Sequence, residues 1–369
     1  MNACRIFLSL ALATTFASAD PTATSSSRAL AEELGSMRNA RVAIEMAEGK
    51  KDIVYFGNLP KKDREELAKV APNVSIISGL SAEAALSRAE EAHGVDARYA
   101  TPEFLAKATN LRWVAVSSAG VDRYLSNKAL MGSDNIVLTN FRAIHGPAIA
   151  DHAMAMLLSL TRNLDYYGEG KLNEEWRRRG SRREPIALKG KTMFVVGLGG
   201  IGSEIAQRAH GFGMRVIGTR RSDSPSADFI EKVGKPKDLL PMLAEADVVA
   251  LAVPLTPETK HLLDTEAFAV MKEGSYLINI ARGQVVNTEA MIAALESGKL
   301  AGAGLDVTDP EPLTKGHALW KQPNVLITPH VAGRSAVTDQ RRSALTVENL
   351  RRFGAGEALL NVVDKKAGY

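Results

Sequence analysis

The sequence predicts an α/β protein made of two doubly wound parallel-sheet domains. Three observations carry that expectation. From about residue 50 to residue 328, short apolar runs alternate with helical patterns, the order that builds a parallel sheet with helices on both faces. Midway, an unbroken apolar run stops at a cluster of glycines and a helical pattern follows at once. At 369 residues, finally, the chain is long enough for two domains. Apolar residues make up 45% of it, ordinary for a globular protein, and a net charge of +4 is too small to imply a nucleic-acid partner.

The first segment reads as an address. Residues 1–5 are basic, 6–16 are apolar, and Ala17, Ser18 and Ala19 form a small-x-small cleavage pattern, predicting a secretory signal peptide over 1–19. Its apolar run is too short to span a bilayer, and no stable membrane association is expected. Export to a periplasm or the medium is the expectation. A transit peptide is the runner-up, because no acid precedes Asp20, and a cytoplasmic or organellar location is the alternative. The lone cysteine, Cys4, lies inside the peptide, so the processed chain forms no disulfide. Residues 20–49 form an N-terminal extension, Ser/Thr-rich over 21–27 and predicted to be disordered there.

Beyond it the elements follow in order. Strands are predicted over 52–56, 74–77, 112–116 and 136–139, and helices over 61–70, 81–91 and 102–108, the last with Pro102 in its first turn. The strand over 112–116 runs into Ser117, Ser118, Ala119, Gly120, Val121 and Asp122. A small-residue turn at a strand's carboxyl end offers backbone N–H groups to a carboxylate. A long apolar helix covers 148–162. His145 and His152 stand two helical turns apart, a rise of roughly 10 Å that no single metal bridges; His152 is read as structural, and no His or Cys spacing suggests a metal. The basic run Arg177, Arg178, Arg179, Arg182 and Arg183 is flanked by Glu174, Glu175 and Glu184 and reads as a solvated loop.

The glycine cluster is the most informative stretch. Residues 193–196 are an apolar strand, Gly197, Gly199, Gly200, Ile201 and Gly202 follow, and a helix then leads to a second strand over 215–218. Gly197 permits a tight turn, Gly199 lets the backbone approach a pyrophosphate, and Gly202 lets helix and strand pack closely. The helix N-terminus supplies free N–H groups and a positive dipole end. This is a dinucleotide site in a Rossmann unit. Where an NAD enzyme places an acid after the second strand, this chain has Thr219, Arg220, Arg221 and Ser222. Guanidiniums suit a ribose 2′-phosphate, so NADP is favoured over NAD.

Four more strands are predicted over 247–253, 275–280, 303–307 and 324–328. After three of them stand Arg282, Glu311 and His330. In open α/β sheets ligands bind at that edge, so the trio reads as an acid–base pair with an anion anchor beside the cofactor.

From about residue 52 onward the chain resembles the D-isomer-specific 2-hydroxyacid dehydrogenases, with glyoxylate or hydroxypyruvate reductase-like members in view. The carrying stretches are SAGVD (118–122), GKTMFVVGLGGIG (190–202), PLTPET (254–259), NIARG (279–283), GLDV (304–307), DPEPL (309–313) and ITPH (327–330). The resemblance implies that Arg282, Glu311 and His330 are catalytic and that amides around Ala119 and Gly120 hold the substrate carboxylate. It further implies that Asp306 meets the nicotinamide amide, that Pro254 lines the cofactor, and that the chain dimerises through its nucleotide domain. Its implied organisation is a discontinuous, flavodoxin-like substrate domain, 50–139 with 331–369, around a Rossmann domain over 140–330. Many members carry Asp where Arg220 stands, which again supports NADP.

The expected reaction interconverts a 2-keto acid and a D-2-hydroxy acid by hydride transfer. His330 is the general acid or base, Glu311 orients its ring and favours the charged imidazole, and Arg282 anchors the substrate. A non-enzymatic NADP(H)-sensing corepressor of the same fold is the alternative. Tyr55, Phe56 and Tyr99 are candidates, by position, for contact with the substrate's side chain.

Overall fold

The computed structural model describes residues 52–178, 180, 183–223 and 226–368. Residues 1–51, with the expected signal peptide, Cys4 and the expected N-terminal extension, lie outside the described residues. Within them, strands form two all-parallel sheets, as expected. The first has the order β2-β1-β3-β4-β5 and joins β1 (Ile53–Phe56), β2 (Val74–Ile77), β3 (Gly94–Asp96), β4 (Trp113–Ala115) and β5 (Val137–Thr139). That is the flavodoxin-like order, in which the chain reverses direction across the sheet between β1 and β3. The second sheet runs β12-β11-β10-β9-β6-β7-β8. Its strands are β6 (Thr192–Val196), β7 (Arg215–Thr219), β8 (Ile230–Gly234), β9 (Val248–Leu251), β10 (Ser275–Asn279), β11 (Leu300–Leu305) and β12 (Val325–Ile327). Counted from β6, this is the Rossmann order with one strand added, and its switch point lies between β6 and β9.

The central strands of both sheets are covered on both faces, which is why they read as continuous apolar runs. All residues of β6, β9 and β10 are buried. Phe194, Leu251 and Leu277 share one core, and Met193, Val195, Ala250 and Ile278 share the other with Ala150, Ala153 and Leu157 of the long helix Gly146–Thr161. The chain's last helix, Ala336–Gly354, sends Leu350 and Phe353 into the first domain's core, where Phe353 meets Trp113 edge-on with ring centroids 5.2 Å apart.

Some elements differ from expectation, each for a local reason. The helix expected over 81–91 stops at Ser87 and resumes as a single tight turn, Ala89–Glu91. β8 escapes sequence reading because it is an edge strand whose three middle residues are exposed, leaving no apolar run. β11 starts at Leu300 rather than residue 303, since Gly302 and Gly304 break its apolar pattern. Those glycines serve packing: a Cβ on Gly304 would come within 2.9 Å of Met156, so the long helix can lie directly on the strand. Tyr55, Phe56 and Tyr99 are corrected from substrate candidates to core residues. They are 1%, 0% and 6% exposed, because β1 is sandwiched between layers and Tyr99, in the turn after β3, packs into the same domain's core, and the two tyrosine hydroxyls are tied to Asp96 and to the carbonyl of Leu80.

Candidate active site

The dinucleotide turn takes the form its glycines require. Gly197 has φ +100°, a conformation side-chain-bearing residues avoid, and a Cβ there would also strike Val253 and the carbonyl of Ala252. At Gly202 a Cβ would sit 2.0 Å from the Gly197 carbonyl oxygen, so only glycine lets the helix Gly200–Gly211 start this close to β6. Gly199, by contrast, faces open space within 4 Å. The helix's first-turn amides at Gly200, Ile201 and Gly202 thus point past an unobstructed backbone, the arrangement a pyrophosphate needs. These residues fit a dinucleotide.

At the end of β7, Thr219 is buried and Arg220 donates its amide to the Gly234 carbonyl at 3.0 Å, bringing the end of β8 alongside. That places Lys235, which sequence reasoning missed, beside the end of β7. Its ammonium donates to the Arg221 carbonyl at 3.1 Å and to the Asp223 carboxylate, which it holds below the usual carboxylate range. Lys235 thus joins Arg220 and Arg221 at the carboxyl end of β7.

The catalytic candidates come from three neighbouring strand ends. Arg282 follows β10, where the buried Asn279 clamps the turn by accepting from the Ala281 amide and donating to the Arg282 carbonyl, both at 3.0 Å. Its guanidinium reaches the first domain: Nε and Nη2 donate to Asp122 Oδ1 at 3.2 and 3.0 Å, and Nη1 donates to the Ala281 carbonyl at 2.8 Å. A guanidinium has five N–H donors. Among the described residues three are engaged, which leaves one on each terminal nitrogen for an anion. Gly120 lies directly against this group, since a Cβ there would fall 2.0 Å from Nη2. The amides of Ala119 and Gly120 donate to no partner among the described residues, and the loop is pinned by Asn140 on the Ala119 carbonyl and Ser118 on the Gly120 carbonyl. Anchor and amide turn, some 160 residues apart in sequence, thus meet at one spot.

His330 follows β12 and Glu311 follows β11. The ring Nδ1 and Glu311 Oε1 are 2.7 Å apart, with His330 43% exposed, so Nε2 is left toward the cleft. Gly283 allows the Arg282 and Glu311 turns to touch, because a Cβ there would collide with the Thr308 backbone at 2.0 Å. His330 has φ +55°, in the left-handed region, and the following segment is held by Asp306. This carboxylate, 3% exposed, accepts from the Val331 amide (2.9 Å), the Ala332 amide (3.0 Å) and the Thr328 hydroxyl (2.6 Å). Sequence reading aimed Asp306 at the cofactor; its contacts in the structure are with the His330 loop. Pro254 ends the β9 turn, its carbonyl accepting from Thr259 at 2.6 Å. His145 stands at the interdomain crossover beside Arg342 (3.2 Å), where burial and then that guanidinium push its imidazole down, so it is neutral near pH 7. Among the described residues, no cluster of His, Cys, Asp and Glu could hold a metal ion.

A Rossmann domain with an anion anchor and a carboxylate–imidazole pair at its carboxyl edge defines a nicotinamide-dependent oxidoreductase. Known proteins agree. The profile of the D-isomer specific 2-hydroxyacid dehydrogenase NAD binding domain matches residues 154–332. A glyoxylate reductase of Pyrococcus horikoshii is 34% identical over 330 residues, spanning 88% of this chain and 93% of the relative. Among solved structures, a D-isomer specific 2-hydroxyacid dehydrogenase from Xanthobacter autotrophicus Py2 in complex with NADPH and MES is 29% identical with TM-score 0.71, over 86% of this chain and all of that one. D-Lactate dehydrogenase from Aquifex aeolicus, complexed with NAD and lactic acid, is 28% identical with TM-score 0.66, over 82% and 96% of the two chains. The chain belongs to the D-isomer specific 2-hydroxyacid dehydrogenase family, and it is an NAD(P)-dependent oxidoreductase of 2-keto and 2-hydroxy acids.

Proposed function

We propose that the protein reduces a short 2-keto acid to its D-2-hydroxy acid with NADPH in preference to NADH, with glyoxylate the first substrate to try because the Pyrococcus horikoshii relative is a glyoxylate reductase. The observation that carries the reading is the pair of free guanidinium donors on Arg282, set against the Ala119–Gly120 amides. Bound dinucleotide supplies the hydride for the keto carbon. Arg282 holds the substrate carboxylate and keto oxygen and stabilises the alkoxide as it forms, while the two amides take the rest of the carboxylate. His330, its Nδ1 fixed by Glu311, gives the Nε2 proton to that oxygen, and in the oxidative direction takes it back.

NADP preference rests on Arg220, Arg221 and Lys235 at the β7 end. The test follows NADPH and NADH loss separately against a panel of 2-keto acids, using residues 20–369. Rapid NADPH loss with one acid and little with NADH supports the reading; equal use of both removes the cofactor preference, and no turnover with any acid removes the reductase. Arg220→Asp is expected to weaken NADPH binding, read by quenching of protein fluorescence, on the order of 10-fold or more, the worth of one charge-assisted phosphate bond. NADH binding should hold or improve. An unchanged NADPH to NADH affinity ratio would take Arg220 out of the phosphate site.

A further inference from the structure

The hydrogen bonds behind His330 lead away from the cleft into the long helix that follows the first domain. His152 lies on that helix, Gly146–Thr161, and its Nε2 is 2.9 Å from Thr328 Oγ1. The Thr328 hydroxyl has one hydrogen, and that hydrogen goes to Asp306 Oδ1 at 2.6 Å, since an ionised carboxylate only accepts. Thr328 must therefore accept from His152, which fixes the ring with its proton on Nε2. Donation runs one way, from His152 to Thr328 to Asp306, and the same Nε2 also lies 3.7 Å from Asp306 Oδ1. At the end of the relay Asp306 gathers the amides of Val331 and Ala332, the two residues that follow His330. His330 itself has φ +55°. A non-glycine residue in that region is strained and persists only where its surroundings over-determine it. Asp306 supplies part of that constraint, and it is oriented through Thr328 by His152.

We propose that His152 and Thr328 are positioning residues for the catalytic histidine: through Asp306 they hold the backbone of His330 so that its imidazole meets the substrate oxygen. The inference rests on the reading of His330 as general acid and goes beyond it, because neither side chain is bonded to His330, Glu311 or Arg282. His152, read from the sequence as structural, is a histidine because the relay needs a ring N–H donor at a fixed height on an apolar helix. Losing the relay leaves Asp306 held by its two amide contacts alone, one on each oxygen, and the loosened loop lets the imidazole drift by a fraction of an ångström.

The experiment compares His152→Ala and Thr328→Val with the conservative His152→Gln and Thr328→Ser, each of which keeps a donor or a hydroxyl at its place. Four quantities are read: the single-turnover rate of cofactor oxidation with saturating keto acid, the KM for that acid, cofactor affinity by fluorescence, and Tm. The relay-breaking variants should slow the single-turnover rate about tenfold, as small misplacements of a reacting group do. KM and cofactor affinity should stay near wild type, and the Gln and Ser variants should recover most of the rate. Thr328→Val, nearly isosteric, carries the test if His152→Ala does not fold. A rate that stays at wild type in the relay-breaking variants, or a loss that tracks Tm and is not recovered by Gln or Ser, overturns the proposal. His330→Ala run alongside separates the two claims. If it too turns over normally, the reading of His330 fails; if it is inactive while the relay variants are normal, only the relay fails.

Discussion

His330→Ala is expected to lower kcat by about 10²–10⁴-fold, the usual worth of a positioned general acid. The carbonyl oxygen acquires a full negative charge as the carbon is reduced, and without a proton donor only Arg282 and water remain to stabilise it. Cofactor affinity should hardly change, because the dinucleotide turn at Gly197–Gly202 is built on other strands. Glu311→Gln should act through the same ring more mildly, since the amide keeps a hydrogen-bonding oxygen near Nδ1 and loses only the charge. Steady-state kcat in the reductive direction, with NADPH binding measured on the same preparation, checks this. Near-normal turnover by His330→Ala with intact cofactor binding would put the proton source elsewhere.

Much of this architecture could be read from the chain. Strands buried on both faces read as short apolar runs, and the glycine turn is legible because each glycine answers a separate steric demand, a positive φ at Gly197 and close packing at Gly202. Arg282, Glu311 and His330 could be found because each follows a recognisable strand end in a sheet whose carboxyl edge binds ligands. Pairings across the fold left no trace in the sequence. Asp122 and Arg282 are 160 positions apart, and nothing local to Asp122 announces that it braces a guanidinium from the other domain. Lys235 was hidden because β8, which carries it to the end of β7, is a polar edge strand without an apolar signature. Asp306 drew a cofactor role by resemblance; its three donors from the His330 loop, up to 26 positions away, had no local signature in the sequence. Tyr55 and Phe56 were misplaced because position near a strand's end does not reveal that both faces of β1 are covered.

Arg282→Lys is the stricter test of the site, because it keeps the charge and removes only the geometry. The native guanidinium is held by Asp122 on one edge and by the Ala281 carbonyl on the other, and one donor on each terminal nitrogen is left for substrate. A lysine ammonium has three donors on one atom and cannot reach Asp122 and Ala281 while also presenting a pair to a planar carboxylate and keto oxygen. One charge-assisted hydrogen bond is worth about 1.5–3 kcal/mol, so losing one arm of the fork should cost roughly 10- to 100-fold in kcat/KM. The loss should divide between the constants: KM rises because the carboxylate contact is present in the ground state, and kcat falls because the bond to the keto oxygen strengthens as negative charge develops. Removing Asp122 would free two further donors and slacken the anchor, so a second variant, Arg282→Lys with Asp122→Asn, should be little worse than the first alone. The lysine has already lost what Asp122 was holding, and the two changes act on one interaction. Initial-rate kinetics over both substrates measure all of this. A kcat/KM unchanged in Arg282→Lys would mean that charge alone is used, and the fork left by Asp122 and Ala281 would have no part in recognition.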